Sequence, residues 1–305
     1  MQIVKLNKNF TDVTSKSCAI DWIDLDMEYP ESIQWLKKES KLNEDLIKIL
    51  TERNYSNRRR HYKNGTLINL CYTKQASSGD TIDINFLVED NRVITVHWGK
   101  IEAISKFNSM LKNDKEPTTC WGVLASVVSM LSDEMEDRTS EIGLEIDKLE
   151  DQILESNSEL PMDELASLRR RLMRIRRYKK PLGNLITNIS NDMTLSIDKI
   201  VRNQMSETSE QIGRHANTIE LYMERAMLMQ DQIQNQLYDR MNRATYRLGV
   251  VATVFLPLGF ITGLLGINVA GIPGDHNHYA FWMVCLLLVI VAIISTIFVS
   301  RKKEF

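Results

Sequence analysis

The stretch LGVVATVFLPLGFITGLLGI, residues 248–267, is apolar over its whole length and contains no charged side chain. A second stretch, YAFWMVCLLLVIVAIISTIFV at residues 279–299, has the same character. At about 1.5 Å per helical residue, either stretch is long enough to cross a hydrocarbon core of about 30 Å. We therefore predict two transmembrane helices, 248–267 and 279–299, joined by a short outer loop at 268–278.

The charges that flank these stretches predict their orientation. Arginines and lysines lie just outside both stretches, and the loop between them has none: Arg240, Arg243, Arg247, Arg301, Lys302 and Lys303. By the positive-inside rule, both termini face the cytoplasm, as in a multi-pass protein of the inner cell membrane, and residues 300–305 form a basic cytoplasmic tail. The start of the chain, MQIVKLNKNF, lacks the apolar core of a signal peptide, so we expect no cleaved leader.

The N-terminal part of the chain mixes strand and helix patterns. Three β-rich runs occupy residues 65–72, 81–88 and 92–98. Helical patterns lie near residues 30–53 and 99–112. We predict a cytoplasmic α/β domain that covers residues 1–115.

The next segment, 116–190, is predicted to form an antiparallel helix pair, because the turn-rich run ESNSELPMDE at 155–164 interrupts its helix-forming residues. Residues 133–155 carry ten acidic and two basic side chains, whereas residues 169–180 carry eight basic ones. A basic helix can bind nucleic acid. The acidic neighbour and the membrane tether favour mutual neutralisation instead, so we expect no nucleic-acid partner.

A third helical segment leads into the membrane. The sequence between Pro181 and Pro257 contains no proline. We predict that most of this stretch is one helical rod of about 70 residues and on the order of 100 Å, in which a cytoplasmic stalk helix over 191–247 continues into the first span. A rod of this length needs partners along its side, so we infer an oligomer whose helices bundle about an axis.

One face of the first span carries small and polar residues. Steps of three and four residues connect its members, which are Asn242, Thr245, Gly249, Ala252, Leu256, Gly259 and Gly263. Such a face either lets membrane helices pack closely or lines a pore. Polar residues at its two ends, Asn242 and Asn268, favour the pore. A subunit with two spans is too small to enclose a pore alone, and an oligomer with the first span innermost would enclose one.

The run FLPLGFITGLLGIN at 255–268 ends a very long helix and precedes a short loop, a second span and a basic tail. Together with the arginine-rich helix and the α/β part, this arrangement resembles the CorA superfamily of divalent-cation transporters over the whole chain. The resemblance implies a funnel-shaped homopentamer whose pore is lined by the stalk helix. It also implies that Gly266, Ile267 and Asn268 stand at the pore mouth, where that family has a Gly-Met-Asn tripeptide.

Departures from the magnesium-transporting pattern indicate zinc. Isoleucine stands at position 267 in place of methionine, and the run NVAGIPG at 268–274 occupies the place of a Met-Pro-Glu-like stretch. The latter run is similar to the zinc-transporting ZntB branch, and this similarity implies coupling of transport to protons. We predict zinc uptake, with a magnesium, cobalt or nickel channel as the alternative.

Side-chain chemistry near the outer loop fits a cation path. A ring of Asn268 amides would accept hydrogen bonds from the water around a cation without holding the ion as a ring of carboxylates would. Asp275, His276 and His278 are candidate zinc ligands, because carboxylate and neutral imidazole suit that ion. The alternative is that these three side chains are simply solvated.

Motifs of catalysis are missing from the sequence, which has no Gly-rich phosphate loop, nucleophile elbow or His-Glu-x-x-His motif. We therefore expect no enzyme activity and no cofactor other than the transported cation. The four cysteines form no Cys-x-x-Cys pair, which fits a reducing compartment. A membrane-anchored coiled coil for signalling or scaffolding is the alternative from another class. The short outer loop disfavours it, because an external sensor domain would not fit there.

Overall fold

The computed structural model describes residues 2–6, 20–63, 65–73, 81–112, 117–155, 160–266 and 279–301. Its contacts divide the chain into two units, Met1–Gln230 and Asp231–Phe305. The first unit holds a β-sheet with helices on both faces. The second unit holds the C-terminal part of one long helix together with the last helix.

Six strands form the sheet, in the order β1-β2-β6-β5-β4-β3. Their bounds are Gln2–Leu6 (β1), Ile20–Asp26 (β2), Arg58–Tyr62 (β3), Gly65–Thr73 (β4), Thr81–Val88 (β5) and Arg92–His97 (β6). The contact between β2 and β6 is parallel, and the other four contacts are antiparallel. The three β-rich runs predicted from the sequence correspond to β4, β5 and β6.

Strands β1, β2 and β3 were not predicted, and the composition of two of them explains why. Strand β2 reads IDWIDLD, and its three aspartates interrupt the apolar pattern that indicates a strand. Strand β3 reads RRRHY and lies at the edge of the sheet, where one side of a strand faces solvent. Both strands take their conformation from pairing with the apolar strands beside them.

Each face of the sheet is covered by helices. On one face, helix α3 (Glu102–Leu111) and the start of helix α4 (Cys120–Leu154) pack over the sheet. At the centre of this layer, the rings of Trp22 and Phe107 meet edge to face with 4.7 Å between their centroids. The other face is covered by α1 (Pro30–Lys38) and α2 (Glu44–Thr51). Because both faces are covered, β4, β5 and β6 are apolar on both sides.

Four helices follow the α/β layers: α4 (Cys120–Leu154), α5 (Met162–Asn191), α6 (Lys199–Leu265) and α7 (Ala280–Arg301). Helix α6 is continuous over 67 residues. A non-helical segment separates α5 from α6. Asp192 stabilises this break, because its carboxylate accepts hydrogen bonds from the backbone and the hydroxyl of Thr194 and competes with helix continuation.

Helices α4 and α5 run antiparallel. Arg171 of α5 forms an ion pair with Glu145 of α4, and further along the pair Lys179 donates a hydrogen bond to the hydroxyl of Thr139. Lys179 is almost completely buried, and this burial, together with the nearby charge of Arg138, lowers the pKa of its ammonium group to about 8. Within the described residues, Arg171–Glu145 is the only ion pair that joins α4 to α5, so the predicted mutual neutralisation is mostly absent.

Several charges of α4 and α5 pair with α6 instead. Arg225 of α6 contacts Asp147 at 2.8 Å and also contacts Glu150, both of α4. Glu220 of α6 lies 3.6 Å from Lys180 of α5 and at the same distance from Arg176, also of α5. Many other acidic side chains of α4 and basic side chains of α5 are exposed.

Gly143 allows α4 and α6 to approach closely. A Cβ atom at this position would lie 2.4 Å from the hydroxyl oxygen of Tyr222, far inside van der Waals contact. Gly183 plays a similar part between α5 and α6, because a Cβ there would lie 3.3 Å from a methyl group of Ile212. Helix α6 therefore packs against both members of the helix pair within the first unit.

We expect Gly143→Val to destabilise this packing by about 1–3 kcal/mol, because the added side chain has no space beside Tyr222. Thermal unfolding of the full-length protein in detergent would measure the loss. Gly213→Ala is the matched control, since a Cβ there meets nothing within 4 Å. Adding Tyr222→Phe to the Gly143 variant should restore part of the loss, and no difference between the Gly143 and Gly213 variants would contradict this account.

Candidate pore-lining site

Helix α6 carries the first predicted span. Of the helices in the described residues, α6 alone is long and apolar enough by length and composition to cross a membrane. The apolar part of α7, Phe281–Ile297, falls just short of that length in the described residues. Large apolar side chains project from both helices without cover, including Leu256, Phe260 and Trp282, each 71% exposed. A surface of this kind suits lipid or another protein surface.

One side of α6 is partly shielded in the single chain. Half-buried residues recur there at helical spacing: Val250, Val254, Pro257, Leu258 and Ile261. Helix α7 also has one half-buried side, made of Val284, Cys285, Leu288, Val291, Ala292 and Ser295. Both sides belong to the same unit, so we infer that they face each other and that α7 lies along this side of α6.

The small and polar stripe lies on the opposite side of α6. At about 100° per residue, its members fall roughly 100–180° around the helix from the middle of the half-buried side. All of them are exposed: Asn242, Thr245, Gly249, Ala252, Leu256, Gly259 and Gly263. A Cβ atom added at Gly249, Gly259 or Gly263 would meet nothing within 4 Å. This side of α6 is therefore free of α7 and open to other molecules.

Hydroxyl groups in this part of α6 are satisfied by the helix itself. Thr253 donates to the carbonyl of Gly249 at 2.8 Å, and Thr262 donates to the carbonyl of Leu258 at 2.9 Å. Both threonines can thus face an apolar medium without an unpaired donor. The helix ends at Leu265, and the N–H of the next residue, Gly266, approaches the carbonyls of Thr262 at 2.9 Å and Gly263 at 3.2 Å.

Five predicted site residues lie outside the described residues: Ile267, Asn268, Asp275, His276 and His278. The structure places Gly266, the first residue of the expected tripeptide, directly after the last turn of α6. The mouth and the outer-loop ligands therefore stay predictions from the sequence.

Other titratable groups do not form a metal centre in the part of the chain that the structure describes, where no group of three or more His, Cys, Asp or Glu could hold an ion. His97 is buried between strands, with Nδ1 2.8 Å from the carbonyl of Gly99 and Nε2 3.2 Å from Asp24. Burial alone would lower the pKa of this imidazole, but the hydrogen bond and charge of Asp24 and the charge of Asp26 outweigh burial and raise the pKa. His97 thus joins β6 to β2.

The size of the residues on the α7-facing side is a sequence signal for that side. Val250, Val254, Pro257 and Ile261 follow the same steps of three and four residues as the small stripe, but they are bulkier. Bulky residues on one side and small ones on the other indicate two different neighbours for one helix. Identifying α7 as the neighbour of the bulky side required the half-buried pattern of both helices.

Comparison with known proteins adds independent information. Residues 17–302 match a family model described as CorA-like Mg²⁺ transporter protein. The chain is 30% identical over 273 residues to a zinc transport protein ZntB from Pectobacterium carotovorum subsp. carotovorum, a match that covers 88% of this chain and 83% of the relative.

Two full-length solved structures share the fold. The full-length CmaX protein superposes with a TM-score of 0.80 at 25% identity and covers 97% of this chain and 91% of its own. The CorA magnesium transporter from Methanocaldococcus jannaschii superposes with a TM-score of 0.85 at 19% identity and covers 97% of this chain and 96% of its own. The order of α/β layers, long helix and last helix is thus an arrangement already known in other proteins.

Proposed function

Since this chain belongs to the family of CorA-like Mg²⁺ transporter proteins, we propose that it carries zinc ions into the cell through an axial pore shared by five copies. It is a membrane protein and a transporter of metal cations, and not an enzyme. The proposal goes beyond family membership in four respects: the choice of zinc, the pentamer, the location in the inner membrane and the cytoplasmic position of both termini.

The observation that carries the proposal is the exposed small and polar stripe on the side of α6 opposite to α7. If α7 faces lipid on the outside, the stripe faces inward when copies assemble around an axis. Small side chains leave room for a lumen, whereas Leu256 is the one large apolar member and would narrow the path. Family resemblance supports five as the number of copies.

The pore mouth is proposed to lie at Gly266, Ile267 and Asn268. Carboxamide oxygens of five Asn268 side chains would accept hydrogen bonds from the water shell of a cation. A neutral ring attracts the ion less than a carboxylate ring, so the ion can also leave, which conduction requires. The end of α6 at Leu265 supports this place for the mouth, because Gly266 follows it directly.

Two observations favour zinc over magnesium, one from the relatives of this chain and one from its own sequence. Relatives that align over most of the chain are named zinc transport proteins. The outer loop offers His276 and His278, whose imidazole groups suit zinc better than magnesium, together with Asp275, whose carboxylate suits either ion. A magnesium, cobalt or nickel channel is the second candidate, which the family description favours.

Uptake of metal into liposomes that contain only the purified protein tests the function. We expect zinc to enter faster than magnesium at equal concentration, and a pH gradient that is acidic outside should increase the rate if protons drive transport. His276→Ala with His278→Ala should reduce zinc uptake at low concentration and change the saturated rate little, because capture fails and conduction does not. Magnesium entry without zinc entry would establish the second candidate, and entry of neither ion would contradict transport.

A further inference from the structure

A groove lies between α5 and α6 in the first unit. Its volume is about 240 Å³, and its lining combines methionines with charged residues: Arg169, Met173, Arg176, Glu220, Met223, Glu224 and Met227. Met173 is 49% exposed and Met227 is 59% exposed. Three thioether side chains at one exposed place form an adaptable apolar surface of the kind that binds another protein.

Two unpaired cations on α5 lie next in sequence to residues that line this groove. Arg170 and Arg174 are exposed, and neither forms an ion pair with a carboxylate in the described part of the chain. Within the groove lining itself, Arg169 and Arg176 are matched in number by Glu220 and Glu224, and Arg176 lies 3.6 Å from Glu220. The partner of this surface should therefore combine an apolar side chain with several carboxylates.

The exposed face of α4 has this composition. Leu144 is 72% exposed, which is unusual for a leucine in the middle of a helix that packs on its neighbours. Asp137, Glu141 and Asp151 lie on the same exposed side, and none of them forms an ion pair in the described residues. Lys148 is the one basic residue on this face.

The two surfaces lie on opposite flanks of α6, so they cannot meet within one chain. Tyr222 and Arg225 of α6 contact α4, whereas Glu220, Met223 and Met227 line the groove beside α5. At about 100° per residue, these two sets are separated by about half a turn around α6. A second copy can bring an α4 face to the groove of the first.

We propose that the groove receives Leu144 and the acidic face of α4 from a neighbouring copy of this chain. Leu144 packs among Met173, Met223 and Met227, while Glu141 and its acidic neighbours face the arginines of α5. Such a contact is heterologous, because the two copies contribute different surfaces to it. Repeated contacts of this kind close into a ring when the rotation between neighbouring copies is a whole fraction of a full turn. The inference rests on the proposed function through its ring-shaped oligomer and identifies which surfaces meet.

The spacing of the two surfaces agrees with this pairing. On α4, Leu144 follows Glu141 by three residues, and on α5, Met173 follows Arg170 by three residues. An apolar centre with a charge one turn away thus occurs on both helices, with opposite signs. A nucleic acid or an anionic lipid surface would use the arginines but would leave both Leu144 and the methionines without a partner.

Charge reversal tests the contact in the full-length protein in mild detergent at low salt. One variant carries Arg170→Glu and Arg174→Glu, a second carries Asp137→Lys and Glu141→Lys, and a third carries all four changes. We expect the first two to need about tenfold more protein for half-maximal assembly, measured by light scattering or native mass spectrometry. The third should assemble at the parental concentration, because attraction across the contact is restored.

The control variant carries Lys37→Glu and Lys38→Glu, the same charge change at exposed positions on α1, and should assemble like the parent. Leu144→Arg should weaken assembly even at high salt, because it places a cation among the arginines and removes the apolar contact. Unchanged assembly of the first two variants and of Leu144→Arg, or a monomeric parent, would overturn the proposal. Assembly that follows this pattern in a protein that moves no zinc would leave the contact standing and refute only the transport.

Discussion

Asn268→Ala is expected to abolish or strongly reduce cation uptake while the protein still assembles. The change removes five carboxamides from the proposed pore mouth and therefore the groups that would accept hydrogen bonds from the hydrated ion. It removes little volume, and α6 already ends at Leu265, so the packing of α6 described above does not depend on it. Liposome uptake of zinc and magnesium, together with native mass spectrometry of the same sample, would measure both parts of the prediction.

Asn277→Ala is the matched control for this experiment, because it removes the same amide from the same loop nine residues further on. Control and parent should transport at the same rate. Equal loss in both variants would show that the loop as a whole needs its amides, and full activity of Asn268→Ala would assign Gly266 to Asn268 to helix capping alone. A loss in Asn268→Ala for both metals would place the residue on a path common to them.

The second large effect is expected from Gly263→Leu. A Cβ at Gly263 meets nothing within 4 Å in the single chain, so the larger side chain does not disturb the fold of one copy. Leucine also favours helix by somewhat under about 1 kcal/mol relative to glycine. In the proposed ring, however, five leucine side chains project into the lumen at one height, and uptake should fall by more than about tenfold.

Thr262→Leu is the control for the lumen, since it lies one residue earlier at nearly the same depth but about 100° around the helix. Its hydroxyl bonds only to the backbone of its own helix, so its loss leaves no partner unpaired beyond that helix. This variant should keep most of its transport. The reverse result, with Thr262→Leu blocked and Gly263→Leu active, would show that another side of α6 faces the path.

The sequence was sufficient for those features that depend on neighbouring residues. Length and lack of charge identified the apolar stretch that ends α6, and the apolar runs at β4, β5 and β6 identified the centre of the sheet. The absence of proline between Pro181 and Pro257 indicated the long helix, because a proline removes one bond of the helical hydrogen-bond ladder, although α6 continues past Pro257 to Leu265. Family membership followed from the order of these local features and from the run at 255–268, and the family model confirms it.

Tertiary structure alone decided the features that depend on residues far apart in the chain. Strand β2, with its three aspartates, is a strand because β1 and β6 pair with its two edges, and its Asp24 meets His97 only through the parallel β2–β6 pairing. The partial burial of one side of α6 also had to be observed. The local sequence pattern distinguishes two sides of α6, but it does not show which of them a neighbouring helix covers.

The charges of α4 and α5 were visible in the sequence, but the direction in which they face was decided by the tertiary structure. Opposite charge on two adjacent helices was plain in the sequence, and mutual neutralisation was the natural expectation. Rotation of each helix about its own axis is set by the burial of apolar residues such as Ile146 and Leu172, because each contributes about 2 kcal/mol or more, whereas an exposed ion pair contributes less than about 1 kcal/mol. Apolar burial therefore fixed the rotation, and it left the acidic face of α4 and the basic face of α5 directed outward.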